Sequence, residues 1–439
     1  MTQENVAIPT ADQNTGLDAL SAAVRQRSLL PALEVMHAQV GDIFQITLPS
    51  FKPVVLAGPD YARQVLVTER ENFCWRNERD PLTSLLRHGL LVEDGQSHRE
   101  LRALMEPALQ RRQVVGHVEA MRRYTDTTIS GWGNGDTKDM ATEMRHITLL
   151  ILMGTLFGVE SDSLVDRLWK PVLRAIAYIS PGLWIIWPGI PRPGYRRPLR
   201  ELDDLLYQII RDRRLENRDG ADLLSQLIAS GMIDDLIRDQ LITMLIAGHD
   251  TSTALLSWAL YLLGSDPGSM ARAQAEIDTV LGGAPPEAAT LRRLTYLDQV
   301  IKETLRLYPS IHVANRQTMN HVKVNGYTIP AGTRLMLSIY LTHRDHALWD
   351  APEQFRPQRF DRQSESGKVP PFAYLPFGGG PRNCIGAAFA QVEAKVVLAR
   401  ILQSFDLQLV SPEVRLHMGA TLEPRPGVMM RVYHRAPNG

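Results

Sequence analysis

The apolar positions of this chain fall into blocks of different period. GDIFQITLPSFKPVVLAGPD, from Gly41 to Asp60, has short apolar runs punctuated by proline and glycine, and it predicts two short strands. From about Asp60 to about Leu307 the pattern is mostly helical and is broken by loops. HVKVNGYTIPAGTRLMLSIY, from His321 to Tyr340, returns to strand, and its Asn325-Gly326 pair predicts a hairpin because both residue types tolerate positive φ. A last helix is predicted to start near Gly386 and to run through AAFAQVEAKVVLARILQSF. The chain then reads as strand again, in DLQLV and VMMRVYH. There are no internal repeats and no linker rich in Gly, Ser or Pro. The expectation is a mainly α fold with small β-sheets, one large helix-rich domain over residues 1–439, with residues 1–20 as a flexible tail. Strands at both ends of the chain must meet in these sheets, which argues against cutting it in two.

One helix stands out, predicted from about Asp235 to Gly264 and roughly 45 Å long at about 1.5 Å per residue. It is apolar enough to cross the core, yet Asp250 sits in its middle beside His249 and Thr251. A buried carboxylate costs several kcal/mol unless it is paired or neutralised. Ala247 and Gly248 just before it remove bulk from one face, so that something large can approach the backbone. The plain alternative is a polar stripe against another helix. In IKETLRLYP, Glu303 and Arg306 share a helix face, although such pairs are commonest on surfaces and contribute little there. HRDHALWDAPEQFRPQRF, from His343 to Phe360, has no regular period and needs anchors, for which Arg359 is a candidate.

Composition narrows the functions. The 439 residues are 44% hydrophobic and 22% charged with a formal net charge of zero, so no basic field points to nucleic acid and no acidic tail is present. Two cysteines, Cys74 and Cys384, exclude a disulfide framework and suit a reducing cytosol. The first residues are polar and hold no signal-peptide core. The longest uncharged run near the middle, Thr251 to Ser265, is shorter than the about 18 apolar residues of a membrane span. A soluble, cytoplasmic protein is expected.

The candidate chemistry lies in FGGGPRNCIG, Phe377 to Gly386. Its glycines permit a tight loop that brings backbone N–H groups close to the Cys384 sulfur. The helix that starts near Gly386 adds a positive dipole end that favours a thiolate. Zinc is disfavoured, because no second cysteine or histidine stands at ligand spacing. A buried structural cysteine is the bland alternative, and Cys74, in ENFCWRN, is read as one.

AGHDTS, ETLR, FRPQRF and FGGGPRNCIG follow one another in this order, and with them nearly the whole chain resembles the cytochrome P450 haem-thiolate monooxygenases, in their soluble bacterial type. Phe377, Gly380, Arg382, Cys384 and Gly386 match the family's cysteine signature. The resemblance implies a haem b whose iron takes Cys384 as ligand, and a thiolate there favours O–O cleavage. It implies that Phe377 shields the sulfur and that Ala247 and Gly248 admit the haem. His98, Arg102, Arg316 and Arg382 would bind the propionates, with solvated surface charge as the alternative for each. Glu303, Arg306 and Arg359 would form a structural network. Asp250 and Thr251 would be the acid and hydroxyl that relay protons to bound oxygen, a pair that peroxide-driven members typically replace.

The chain has too few cysteines for a cluster of its own and no room for a flavin domain. Electrons should therefore come from a separate ferredoxin or flavodoxin with an NAD(P)H-dependent reductase. Arg99, Arg111 and Arg112 are candidate docking charges, or plain surface charges. Family position puts Leu85, Leu86, Ala247, Ile311, Val313 and Met418 in the substrate pocket, with Leu82 and Leu90 adding to an apolar lining. This suits hydroxylation or epoxidation of a lipophilic molecule such as a fatty acid or terpenoid. Trp184 to Trp187, beside Arg192, Arg196 and Arg197, read as a lid packed on the protein, with a weak peripheral membrane contact as the alternative. A haem-thiolate isomerase or peroxygenase, and a non-enzymatic haem sensor or lipid carrier, remain as other classes.

Overall fold

Local signals set most element boundaries in this computed structural model, which describes residues 7–26, 28–160, 162–185, 190–216, 220–361, 369–410 and 413–435. The helices that frame the site are α1 (Gln13–Gln26), α2 (Pro81–Leu86), α3 (Gly95–Leu109), α4 (Met140–Leu156), α5 (Asp162–Ile179), α6 (Arg196–Glu216), α7 (Asp234–Met244), α8 (Asp250–Ser265), α9 (Thr295–Leu307) and α10 (Ala387–Ser404). The start of α1 corrects the expected tail. Asp12 accepts the backbone N–H of Thr15 at 2.8 Å, and Thr15 and Ala19 are buried. A capped helix therefore occupies much of the segment expected to be flexible.

The strands are β1 (Ile43–Gln45), β2 (Val54–Leu56), β3 (Phe73–Cys74), β4 (Thr137–Asp139), β5 (Val313–Thr318), β6 (Val322–Val324), β7 (Tyr327–Ile329), β8 (Arg334–Ser338), β9 (Phe405–Leu409), β10 (Arg415–Met418), β11 (Leu422–Arg425) and β12 (Met429–His434). A five-stranded sheet has the order β1-β2-β8-β5-β3, so late strands β8 and β5 lie between early ones. β2 and β8 pair in parallel, and β12 lies between β4 and β9 in a second sheet. The two sheets tie distant parts of the chain together. The β6–β7 hairpin turns at Asn325 and Gly326, whose φ values are 45° and 84°, as the sequence predicts.

The long central helix is present but is not uniform. Between α7 and α8, Leu245–His249 forms a single π turn. Two local features accompany the widening. Thr251 Oγ1 donates to the Ala247 carbonyl at 2.6 Å, and Gly248 packs so close to α4 that a Cβ there would lie 2.8 Å from Leu152. The sequence expectation of one continuous helix is corrected at this turn. Such turns concentrate at functional sites.

The pair predicted in ETLR is fully buried, not on the surface. Arg306 Nε lies 2.7 Å from Glu303 Oε2, and Arg359 Nε lies 3.1 Å from Glu303 Oε1. Arg306 also donates to the carbonyls of His343 and Pro352, at 2.9 and 2.7 Å. This network anchors the irregular segment after β8, as a meander without periodic structure requires. Among the described residues no helix is long and apolar enough to cross a membrane.

Candidate active site

The cysteine loop is shaped by its glycines. Gly378 and Gly380 have φ of 68° and 67°, and a Cβ on Gly380 would lie 2.2 Å from the Leu66 carbonyl oxygen. Only glycine fits such a position without displacing backbone. The loop closes on itself where Cys384 N–H donates to the Phe377 carbonyl at 2.8 Å. Gly386 follows, and α10 begins at the next residue. The Cys384 side chain opens into a large internal cavity, so its surface is accessible although it lies deep in the protein. Burial pushes the thiol up, against the Gly386 backbone N–H and the Arg102 charge, which act to lower it. The dipole argument from sequence is thus outweighed by desolvation. A metal bound at this sulfur would favour the thiolate, because coordination deprotonates a thiol.

The predicted cationic set converges on the same cavity, which His98, Arg102, Arg316 and Arg382 all line. His98 and Arg102 lie on one face of α3, and Arg102 donates to Asn383 O and Oδ1, both at 2.9 Å. His98 is held neutral by burial and by Arg382 and Arg102, with its pKa lowered to about 4. Arg382 pairs with Asp94 at 2.7 Å and also reaches the Glu93 carbonyl. Asp94 in turn accepts the backbone N–H groups of Trp75 and Arg76. Arg316 is different. Its guanidinium touches only the Asn315 carbonyl and the face of Trp75, and no carboxylate pairs with it among the described residues. Desolvation and the nearby Arg382 charge lower it to about 10. It is a cation in want of an anion.

On the helix side, Ala247, Gly248, Asp250 and Thr251 line the cavity. Adjacent residues on a helix project about 100° apart, and the acid and hydroxyl accordingly take different partners. Asp250 Oδ2 accepts the Thr421 hydroxyl at 2.8 Å, while Oδ1 lies 3.4 Å from the Arg145 guanidinium. Arg145 also reaches Glu423 at 3.5 Å, and Glu423 pairs with Arg425 at 3.1 Å. Burial is the largest influence on Asp250 and raises its pKa to about 6, although Arg145 opposes this. Asp250 and Thr251 share no hydrogen bond; Thr421 holds the first and the Ala247 carbonyl the second.

The cavity has a volume of about 1260 Å³ and a mostly apolar wall. Ile311, Val313, Met418 and Ala247 line it as expected, and so do Leu82 and Leu90. Leu85 and Leu86 do not. They are buried in the main hydrophobic core, because α2 turns them away from the cavity while Leu82 and Thr83 face it. Trp184 and Ile185 line the cavity too. Trp184 Nε1 donates to the Ser180 carbonyl at 2.9 Å, and Arg192 lies over its ring at 5.7 Å. These contacts hold Trp184 against the chain around it, whereas Ile186 and Trp187 lie outside the described residues. Sequence reasoning missed Arg145 on α4, Thr421 just before β11 and Glu423 on β11, which surround Asp250; it placed the segment Ile311 to Ala314 at the pocket without singling out His312. Those three carry no local signal, since each becomes informative through a partner more than a hundred residues away.

Comparison with known proteins gives the same reading. The family model of cytochrome P450 matches residues 20–430. The Mycobacterium tuberculosis protein carried under the name cytochrome P450 139 is 34% identical over 79% of this chain and 84% of its own length. Cyclooctat-9-en-7-ol 5-monooxygenase of Streptomyces melanosporofaciens is 32% identical over 84% of this chain and 83% of its own length. Cyclooctatin synthase of the same organism is 31% identical over 88% of this chain and 86% of its own. With its cysteine loop, its widened helix and this match over nearly all its length, the chain belongs to the cytochrome P450 family of haem-thiolate monooxygenases.

Proposed function

We propose that this enzyme binds haem b through Cys384 and hydroxylates or epoxidises a lipophilic small molecule of the terpenoid class, with electrons from a separate protein. The observation that carries the reading is the Cys384 thiol, deep in the protein yet accessible from an apolar cavity of about 1260 Å³ that is also lined by His98, Arg102, Arg316 and Arg382. The residues present suit a planar dianion. Arg316 has no carboxylate partner among the described residues, and a propionate would supply one. Arg382, Arg102 and the neutral His98 add donors, and Phe377 lines the same cavity. When bound, the haem supplies dioxygen activation, with the thiolate favouring O–O cleavage.

The chain's own residues then hold and deliver protons. Asp250, with its pKa near 6, keeps a proton in reach at mildly acidic to neutral pH. Thr251 holds its hydroxyl on the Ala247 carbonyl at the widened turn. Transfer from one to the other needs a water or a side-chain rotation, since no hydrogen bond joins them. Trp184 and Ile185 help to keep bulk water out of the cavity. The terpenoid class rests on the apolar wall and on relatives named for cyclooctatin and cyclooctat-9-en-7-ol. The chain has two cysteines, fewer than a cluster needs, and exposed Arg99, Arg111 and Arg112 offer charge for an acidic ferredoxin or flavodoxin. The two unpaired cysteines suit the cytoplasm.

The test is a pair of substitutions. Cys384→Ser should abolish the red-shifted Soret band of the reduced carbonyl complex, while Cys74→Ser should keep it. NADPH alone should give no product, and added ferredoxin or flavodoxin with reductase should restore it. Loss of the band in Cys74→Ser with retention in Cys384→Ser would refute the ligand assignment, and turnover on NADPH alone would refute the separate partner.

A further inference from the structure

The cavity wall contains several polar side chains, and nearly all of the buried ones already have partners. Thr243 donates to the Asp239 carbonyl at 2.6 Å, Thr251 to Ala247 at 2.6 Å, and Ser310 to Thr251 O at 2.9 Å. Ser252 lies 2.5 Å from Glu393, and Thr421 holds Asp250 at 2.8 Å. His312 is the exception. It lines the same cavity and is 93% buried, being 7% exposed. Neither ring nitrogen has a hydrogen-bond partner among the described residues; Nδ1 is sealed off as well as unsatisfied, which leaves Nε2 as the ring nitrogen with open surface on the cavity side. Buried polar groups are nearly always bonded, and an exception asks for a cause.

The backbone around His312 is firmly held, so the ring is presented on a rigid support. The His312 carbonyl accepts Tyr340 N–H at 3.1 Å, and Ser310, two residues earlier, bonds both α8 and Leu422 N–H. The segment is therefore clamped between the widened helix and the β10–β11 hairpin. A side chain so placed does not lack a partner through disorder of its own backbone.

We propose that His312 is a substrate-anchoring residue, and that it pairs with a hydroxyl group on an otherwise hydrocarbon substrate. This rests on the lipophilic-substrate reading above and narrows it. A hydroxyl both donates and accepts, and so pairs with Nε2 in either tautomer. A carboxylate would need a cation at this point, and burial alone lowers the His312 pKa to about 4, so the ring stays neutral. Fatty acids are accordingly disfavoured against neutral alcohols of similar bulk. Because Ser310 ties this segment to Thr251 on α8, an alcohol held at His312 is fixed by one end beside that helix.

The experiment uses the haem-loaded full chain and titrates the spin-state shift of its spectrum. The probes are paired polycyclic terpenoid hydrocarbons and their mono-alcohols, cedrane and cedrol among them, with dodecanoate as the acid arm. In the unaltered enzyme the alcohol of a pair should bind about 10-fold more tightly than its hydrocarbon, the value of one hydrogen bond to a group otherwise buried unpaired. His312→Phe should bring that ratio close to one while hydrocarbon affinity is kept or improved. His312→Gln, which can still donate and accept, should retain part of the preference. The thiolate carbonyl band in each variant checks that the site is intact. An alcohol preference unchanged in His312→Phe, a ratio near one in the unaltered enzyme, or dodecanoate binding more tightly than the alcohols would each overturn the anchor while leaving the lipophilic-substrate reading in place. If no probe shifts the spectrum although the thiolate band is present, the lipophilic-substrate reading itself fails, and the anchor fails with it.

Discussion

Thr421 donates its hydroxyl to Asp250 Oδ2 at 2.8 Å and ties β-structure near the C-terminus to the first residue of α8. The bond holds the carboxyl beside Arg145, which also reaches Glu423. An acid in this setting is pushed up to about 6 from an ordinary 3.8. Two measurable consequences follow from the sign of that shift.

Between about pH 4 and pH 6 the native protein holds a proton on Asp250 that the unfolded chain has lost, so stability falls as pH rises through this window. Asp250→Asn should flatten this part of the stability–pH curve, as measured by denaturant unfolding. In turnover, the unaltered enzyme should lose rate as pH rises through about 6, and Asn should lose that limb. The variant's rate should drop by up to about 10²–10⁴-fold, the contribution of a positioned general acid.

Thr251→Ala removes the hydroxyl that now holds the Ala247 carbonyl at 2.6 Å. NADPH consumption should continue, with less product and more hydrogen peroxide per electron pair. Substrate affinity from the spectral titration should change little. Full coupling in this variant would move the relay to another group, and His249 is the next to test.

Glu393, on α10, is fully buried beside Ser252 and raised from 4.5 to about 8 by desolvation. It is therefore largely protonated at neutral pH. Its raised value favours the fold below about pH 4.5, and that contribution is lost as pH rises through about 8. Glu393→Gln should abolish the decline, and the variant should gain on the parent at pH 9 relative to pH 6. An equal pH slope in both proteins would show that Glu393 is ionised in the fold.

Arg306 and Glu303 are both completely buried. Removing one partner leaves the other charged and unpaired, so Arg306→Met should destabilise the protein by about 3–5 kcal/mol. Arg306→Lys keeps the charge but loses the fork that reaches Glu303, His343 and Pro352 together, and it should also be destabilising. Thermal unfolding of the haem-loaded forms measures both.

Gly380→Ala meets two obstacles, a φ of 67° and the Leu66 carbonyl oxygen at 2.2 Å from the added carbon. The backbone conformation alone costs about 1–2 kcal/mol, and the clash adds to it. The variant should incorporate less haem, seen as a lower Soret-to-protein absorbance ratio. Gly194→Ala, where a Cβ meets nothing within 4 Å, is the control and should load normally.

The sequence alone determined what is local or carried by a short motif. The glycine pattern around Cys384, the Asn325-Gly326 turn, the helix that begins after Gly386 and the order of the four motifs are all properties of neighbouring residues, and the fold class and the haem-thiolate reading follow from them. Tertiary structure decided whatever depends on a face or a distant partner. Leu85 and Leu86 look like Leu82 in a sequence, and only the orientation of α2 sends them into the core. Glu303 and Arg306 have the spacing of a surface pair, and only burial by the meander makes them an anchor. Asp250 is adjacent to Thr251 in the chain, yet Thr421, Arg145 and Glu423 set its direction and its proton affinity. His312 has no motif at all. Its meaning arises from the absence of a partner inside a cavity, and burial, which decides that cost, is a property of the whole packed chain.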